Sequence, residues 1–167
     1  MKKLLLIVLV AVSTATFAQV EKGDFNATGN ISFTSTTPEG GDATNMGQIG
    51  VRGGYYFTNN IEAGAGIDII IMDETNMTGF GPYAVYNFLT SGGKFLPYIG
   101  ANYYRFDAGI EGADAIGQIG GFGGFKYFLT EAVNVDTSLN YTSWLGDFSG
   151  SSLRLNVGIG INFGKLK

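Results

Sequence analysis

From Leu153 to Phe163 the chain alternates without a break. Leu153, Leu155, Val157, Ile159, Ile161 and Phe163 hold one phase, and Arg154, Asn156, Gly158, Gly160 and Asn162 hold the other. A period of two belongs to a β-strand whose faces meet different surroundings. The same period recurs upstream. It predicts strands from Asp24 to about Thr36, from Met46 to Phe57, from Ile61 to Ile71, from Gly79 to Phe88, from Phe95 to about Asp107, from Ile116 to Leu129 and from Val133 to Ser143. With the run ending in Phe163, that makes eight strands and no helical period outside the first segment.

Six of the eight strands assign their own faces. In the first, Phe25, Ala27, Gly29, Ile31 and Phe33 share one side, and Asn26, Thr28, Asn30, Ser32 and Thr34 the other. In the second, Ile49, Val51, Tyr55 and Phe57 point one way, and Gln48, Arg52 and Tyr56 the opposite way. In the third, Ile61, Ala63, Ala65, Ile67, Ile69 and Ile71 oppose Glu62, Gly64, Gly66 and Asp68. The sixth follows the pattern of the second, and the seventh and eighth alternate cleanly. The fourth and fifth carry aromatics in both phases, so the pattern leaves their facing open.

The connections differ in length. Thr58–Asn60, Leu89–Lys94 and Thr130–Ala132 are short; Thr37–Asn45, Met72–Thr78, Ala108–Ala115 and Trp144–Gly150 are longer. The longer set carries Glu39, Asp42, Asp73, Glu74, Glu111, Asp114 and Asp147 and no lysine or arginine, so that end should be acidic. A weak internal repeat is also present. Gly47-Gln48-Ile49-Gly50 returns as Gly117-Gln118-Ile119-Gly120, and Gly53-Gly54 as Gly123-Gly124, which places strand two opposite strand six.

The first segment changes what this pattern means. Met1-Lys2-Lys3 is a basic start, Leu4 to Val12 is apolar, and Thr16-Phe17-Ala18 offers small residues at the positions a signal peptidase reads. About nine apolar residues in a row fall short of the roughly 20 that a spanning helix needs. Residues 1–18 are therefore expected to be a Sec-type signal peptide, and 19–167 a single barrel domain. Loss of Lys2 and Lys3 takes the net charge from −4 to −6. That balance excludes a nucleic-acid partner, which would need a basic surface. Cysteine is absent, so there are neither disulfides nor a lipidated cysteine. The chain has 27 glycines, 13 phenylalanines, nine tyrosines and only three prolines, a composition suited to barrel strands.

An exported chain with one apolar strand face and no spanning helix can enter a bilayer only as a closed barrel, because hydrocarbon tolerates no unpaired backbone amide. The expected fold is all-β: an eight-stranded, antiparallel, up-and-down transmembrane β-barrel in the bacterial outer membrane. Eight strands leave a lumen that side chains can fill. Its polar phase carries Arg52, Lys126 and Arg154 against Glu62, Asp68 and Asp136. This balanced set is expected to form a structural charge network, since unpaired buried charge is costly. A soluble barrel or sandwich would also alternate. It would carry more surface charge, and lysine and glutamate rather than glycine, asparagine and serine at its polar strand positions.

The stretch Gly53-Gly-Tyr-Tyr-Phe-Thr-Asn-Asn-Ile61, the tetrad Pro97-Tyr98-Ile99-Gly100 and the last strand ending in Phe163 resemble the small outer-membrane β-barrel proteins of Gram-negative bacteria. That superfamily includes the OmpX/Ail-type proteins and the OmpA-type transmembrane domain. The resemblance covers the whole mature chain. It implies that Phe163 is the aromatic signal read by the barrel-assembly machinery, although Gly164 to Lys167 follow it here. It also implies outer-membrane lipids and lipopolysaccharide as surroundings, and a monomer is expected. No peptidoglycan-binding domain is expected after the barrel, so the anchoring role of the OmpA type is not implied.

Catalytic chemistry is not supported. Histidine is absent, which removes Ser–His and metal–His sites. The adjacent Asp73 and Glu74 read as a solvated turn. Gly64–Gly66 and the Gly-Gly pairs lack the Gly-Lys-Ser/Thr of a phosphate loop. Asp107, Glu111 and Asp114 match no calcium-loop spacing, and a hydrated acidic rim explains them better. Neither catalytic residues, nor a cofactor, nor a metal site is expected. Trp144 and the tyrosines near strand ends are expected in an interfacial aromatic girdle. The expected function is structural or interactive, with a filled lumen and short acidic external loops. The alternatives are a narrow pore for small solutes or ions, and a surface adhesin.

Overall fold

A computed structural model describes residues 20–36, 44–72, 76–107, 115–146 and 150–164. The leader, and the seven loop acids from Glu39 to Asp147 named above, lie outside these residues. The described chain forms one closed antiparallel barrel in strict sequence order. Its strands are β1 (Phe25–Thr36), β2 (Thr44–Tyr56), β3 (Ile61–Met72), β4 (Asn76–Asn87), β5 (Phe95–Asp107), β6 (Ile116–Phe128), β7 (Val133–Leu145) and β8 (Ser151–Phe163). Several strands run further toward the long connections than the alternation alone indicates. β2 starts at Thr44, β4 at Asn76 and β8 at Ser151, and β7 continues to Leu145. Polar residues at the β2, β4 and β8 ends hide the period although the ladder goes on; β7 gains Trp144 and Leu145.

Closure comes from pairing β1 with β8, beginning at Phe25 opposite Phe163. The register can be followed around the barrel from Phe25 through Tyr55, Ala63, Ala84, Ala101, Gly121, Tyr141 and Leu153. It meets β1 again near Ser35, a shear of about ten residues. That shear tilts the strands by about 40°. A 12-residue strand at about 3.3 Å per residue then rises about 30 Å, the thickness of a hydrocarbon core.

The outer surface explains why the strands alternate. Ile31, Phe33, Val51, Phe80, Ile99, Leu153 and Ile159 are each more than half exposed, which water would penalise and lipid would not. At the short-turn end the exposed aromatics touch. Phe25 lies 5.1 Å from Tyr55, Tyr55 5.0 Å from Phe57, Tyr86 5.2 Å from Phe88 and Phe95 5.0 Å from Phe125, between ring centroids. This is an interfacial girdle. Trp144 is not part of such a girdle. It sits in the inward phase of β7, half-buried against Phe106 at 5.2 Å. The correction is one of phase: Trp144 lies an odd number of residues from the outward Leu139 and Tyr141.

The short-turn end is closed from inside by residues that precede β1. Val20 is buried against Tyr56, Leu96 and Phe128. It is held there because Gly23 donates to the Tyr56 carbonyl at 2.9 Å, Tyr56 donates to the Asp24 carbonyl at 2.9 Å, and the Lys22 amide donates to Asn59 Oδ1 at 2.8 Å. Removing two methyl groups from a packed plug leaves a void. Val20→Ala is therefore expected to lower stability by about 2 kcal/mol. The check is a lower urea midpoint at unchanged slope.

Candidate functional site

The inward phase packs the lumen in layers. Above the Val20 plug lies a polar layer centred on Glu62, which is 1 % exposed. Lys126 Nζ reaches Glu62 Oε2 at 2.7 Å, the one ion pair among the described residues. Asn26 Nδ2 and the Tyr83 hydroxyl donate to Glu62 Oε1 at 3.0 and 2.8 Å. Both carboxylate oxygens are thus satisfied, as a buried charge requires. Lys126 also donates to the Tyr56 hydroxyl at 2.9 Å, and its ammonium lies 5.4 Å from the Tyr56 ring centroid.

The other four charged lumen residues find different kinds of partner. Asp136 accepts from the Tyr98 hydroxyl at 2.5 Å. The Arg52 guanidinium lies between two aromatic faces, 5.7 Å from the Tyr83 centroid and 5.4 Å from the Phe122 centroid, a cation–π arrangement. It is also within electrostatic reach of Asp136 and Asp68. Arg154 donates to Gln48 Oε1 and, at 3.3 Å, to Thr142 Oγ1. Arg154 and Asp68 also lie within electrostatic reach of each other. They form no ion pair by direct contact.

Repeat-related positions meet across the barrel. Tyr56 and Lys126, 70 positions apart like the two Gly-Gln-Ile-Gly tetrads, touch directly. Arg52 of β2 stacks on Phe122 of β6. The resulting lumen has little free space. One cavity of about 10 Å³ lies among Arg52, Glu62, Tyr98 and Lys126. A second of about 20 Å³ is bordered by Arg52, Asp68, Asn102, Tyr104, Gln118 and Arg154. Each has room for about one water. Polar atoms without a protein partner, Asn102 Oδ1, Tyr104 Oη, Gln118 Nε2 and Arg154 Nε, belong to residues of the second cavity. A larger concavity, about 470 Å³, is outside the lumen: a dent in the apolar surface around Gly29 and Ile159.

A second apolar layer closes the long-connection end. Ile70, Met77, Tyr104 and Phe106 are buried together, with Met46, Met72, Ile116 and Trp144 packed against them. Alternation alone misses this layer. It is formed partly by β4 and β5, where Tyr83, Val85, Leu96, Tyr98, Tyr104 and Phe106 all face inward. Phe80, Tyr86, Ile99 and Tyr103 face outward on the same two strands. The aromatics in both phases are therefore lumen filling on one side and lipid surface on the other. Among the described residues, no group of three or more His, Cys, Asp or Glu side chains is placed to hold a metal ion.

A family profile described as outer membrane protein beta-barrel domain matches residues 4–163. No curated protein sequence matches significantly. Among solved structures, the chain is similar to the N-terminal β-barrel domain of Pseudomonas aeruginosa OprF. The identity is 17% and the TM-score 0.66, over 86% of this chain and 100% of that one. It is similar also to Neisserial surface protein A, at 18% identity and a TM-score of 0.66, over 85% and 98%. A de novo designed transmembrane β-barrel aligns at 10% identity and a TM-score of 0.59, over 87% and 100%. At these identities the likeness is one of fold.

Proposed function

The chain belongs to the outer membrane protein β-barrel domain family and is an outer-membrane protein, and from that premise we propose that it is a non-conducting structural barrel, monomeric, which braces the membrane and presents its long connections outward. The observation that carries this reading is the sealed lumen. Apolar layers at both ends enclose a polar middle whose cavities hold about one water each. An ion crossing it would have to part Glu62 from Lys126 and displace Arg52 from Tyr83 and Phe122. Each step strips a buried charge of its partner. Nothing in this arrangement supplies a nucleophile with a base, so the reading is not enzymatic.

Planar-bilayer recording on purified monomer tests the proposal. A flat baseline is expected; steady single-channel steps from monomer would sink the filled barrel and favour the narrow pore. The reading includes export through residues 1–18 as a cleaved leader and delivery by the barrel-assembly machinery, with Phe163 as the recognised aromatic. Phe163 is half exposed on the outer face and paired with Phe25 at the closing seam. Phe163→Ala should lower the amount of folded protein in outer-membrane fractions. The same variant refolded into detergent should keep the mobility difference between boiled and unboiled samples. Equal amounts of both proteins in the membrane fraction would remove Phe163 from that role.

A further inference from the structure

The two apolar ends of the lumen differ in one respect. The short-turn end is built from Val20, Tyr56, Leu96 and Phe128. The long-connection end gathers Met46, Met72 and Met77, which are every methionine of the chain apart from Met1. The barrel register brings them together. Met46 is the direct cross-strand partner of Met72. Met77 stands opposite Ile70, the inward residue next to Met72 on β3. Direct partners have Cβ atoms about 5 Å apart and diagonal ones about 7–8 Å. Thioethers on three rotatable bonds can converge over such spans.

We propose that Met46, Met72 and Met77 form a binding site for a soft monovalent cation, Cu(I) or Ag(I), at the long-connection mouth of the barrel. Thioether sulfur is a soft donor that selects such ions, whereas calcium and magnesium require oxygen ligands. Three thioethers carry no charge of their own, so they offset the desolvation of a singly charged ion more readily than that of a divalent one. Phe106 and Trp144 belong to the same cluster, and aromatic faces attract a bare cation. The chain has no histidine or cysteine to compete for the ion. If packing alone set these positions, leucine would serve, as it does at the opposite end.

The only tryptophan of the chain, Trp144, lies in this cluster, so intrinsic fluorescence reports on the site directly. The experiment titrates silver nitrate, in chloride-free buffer, into the mature chain refolded in detergent micelles. Saturable quenching of Trp144 at one ion per chain is expected. The methyl resonances of Met46, Met72 and Met77 should shift together over the same range. Leucine conserves the packed volume. Met46→Leu, Met72→Leu and the triple variant should keep the folded band and weaken binding by about tenfold or more. Unsaturable quenching, or a triple variant that titrates like the parent, would show the methionines to be apolar packing only. Should a variant not fold, unmoved methyl resonances in the unaltered chain would overturn the proposal by themselves.

Discussion

Lys126→Met is expected to destabilise the barrel by about 3–5 kcal/mol, the cost of leaving a buried carboxylate without its counter-ion. Lys126 supplies the only ion pair to Glu62 among the described residues, at 2.7 Å. What remains on Glu62 is Asn26 at 3.0 Å and the Tyr83 hydroxyl at 2.8 Å, both neutral donors to Oε1. Oε2 would lose its ammonium partner in a place where both side chains are nearly solvent-free. The Tyr56 hydroxyl would lose a donor as well. The effect should appear as a lower urea midpoint for loss of the folded band in detergent.

Glu62→Gln added to Lys126→Met should recover most of that loss, because a neutral amide needs no counter-ion and can still accept from Tyr83 and Asn26. The sign of this coupling separates a buried charge penalty from lost side-chain packing. A double variant no more stable than Lys126→Met alone would mean that the methylenes of Lys126, not its charge, hold this layer.

The eight strands and most of their facing were legible because lipid and lumen impose opposite chemistry on neighbouring residues. The contrast fails where the lumen itself is apolar. On β4 and β5 it is filled by Tyr83, Val85, Tyr98, Tyr104 and Phe106, so both phases read alike. Trp144 was misplaced for the same reason: an aromatic near a strand end fits a girdle and a plug equally well. The six charged lumen residues stood out as polar interruptions of strand faces. Their partners did not, since closure and shear decide which side chains meet across the barrel. Arg52 illustrates the gap. The sequence offers it three acids, whereas the fold places it between the rings of Tyr83 and Phe122. The 70-residue repeat was the one available signal of a cross-lumen neighbour, and it relates Tyr56 to Lys126, which touch.

Glycine shows what facing adds to composition, and it gives the second large effect. Gly81→Ala is expected to cost about 3 kcal/mol and to reduce the folded band in unboiled samples. Gly81 lies on the inward face of β4, beside Pro82. The β4–β5 ladder joins Phe80 to Arg105 and Tyr83 to Asn102 but not the two residues between. A Cβ at Gly81 would overlap the Tyr103 carbonyl oxygen and stand 2.8 Å from both Tyr103 C and Tyr104 Cα. These are backbone atoms of a packed strand and cannot rotate away. Relief would have to come from moving β5, and with it Tyr104 out of the layer it shares with Ile70 and Phe106. Gly29 and Gly121 face outward and a Cβ there would have no atom within 4 Å, so Gly29→Ala and Gly121→Ala should stay within about 0.5 kcal/mol of the parent. All three substitutions add the same methyl group to a strand glycine and carry the same backbone preference. A difference between them therefore measures crowding inside the barrel. Equal stabilities would mean that β4 and β5 have slack the close approach at Tyr103 does not indicate, and the sealed lumen would lose part of its physical basis.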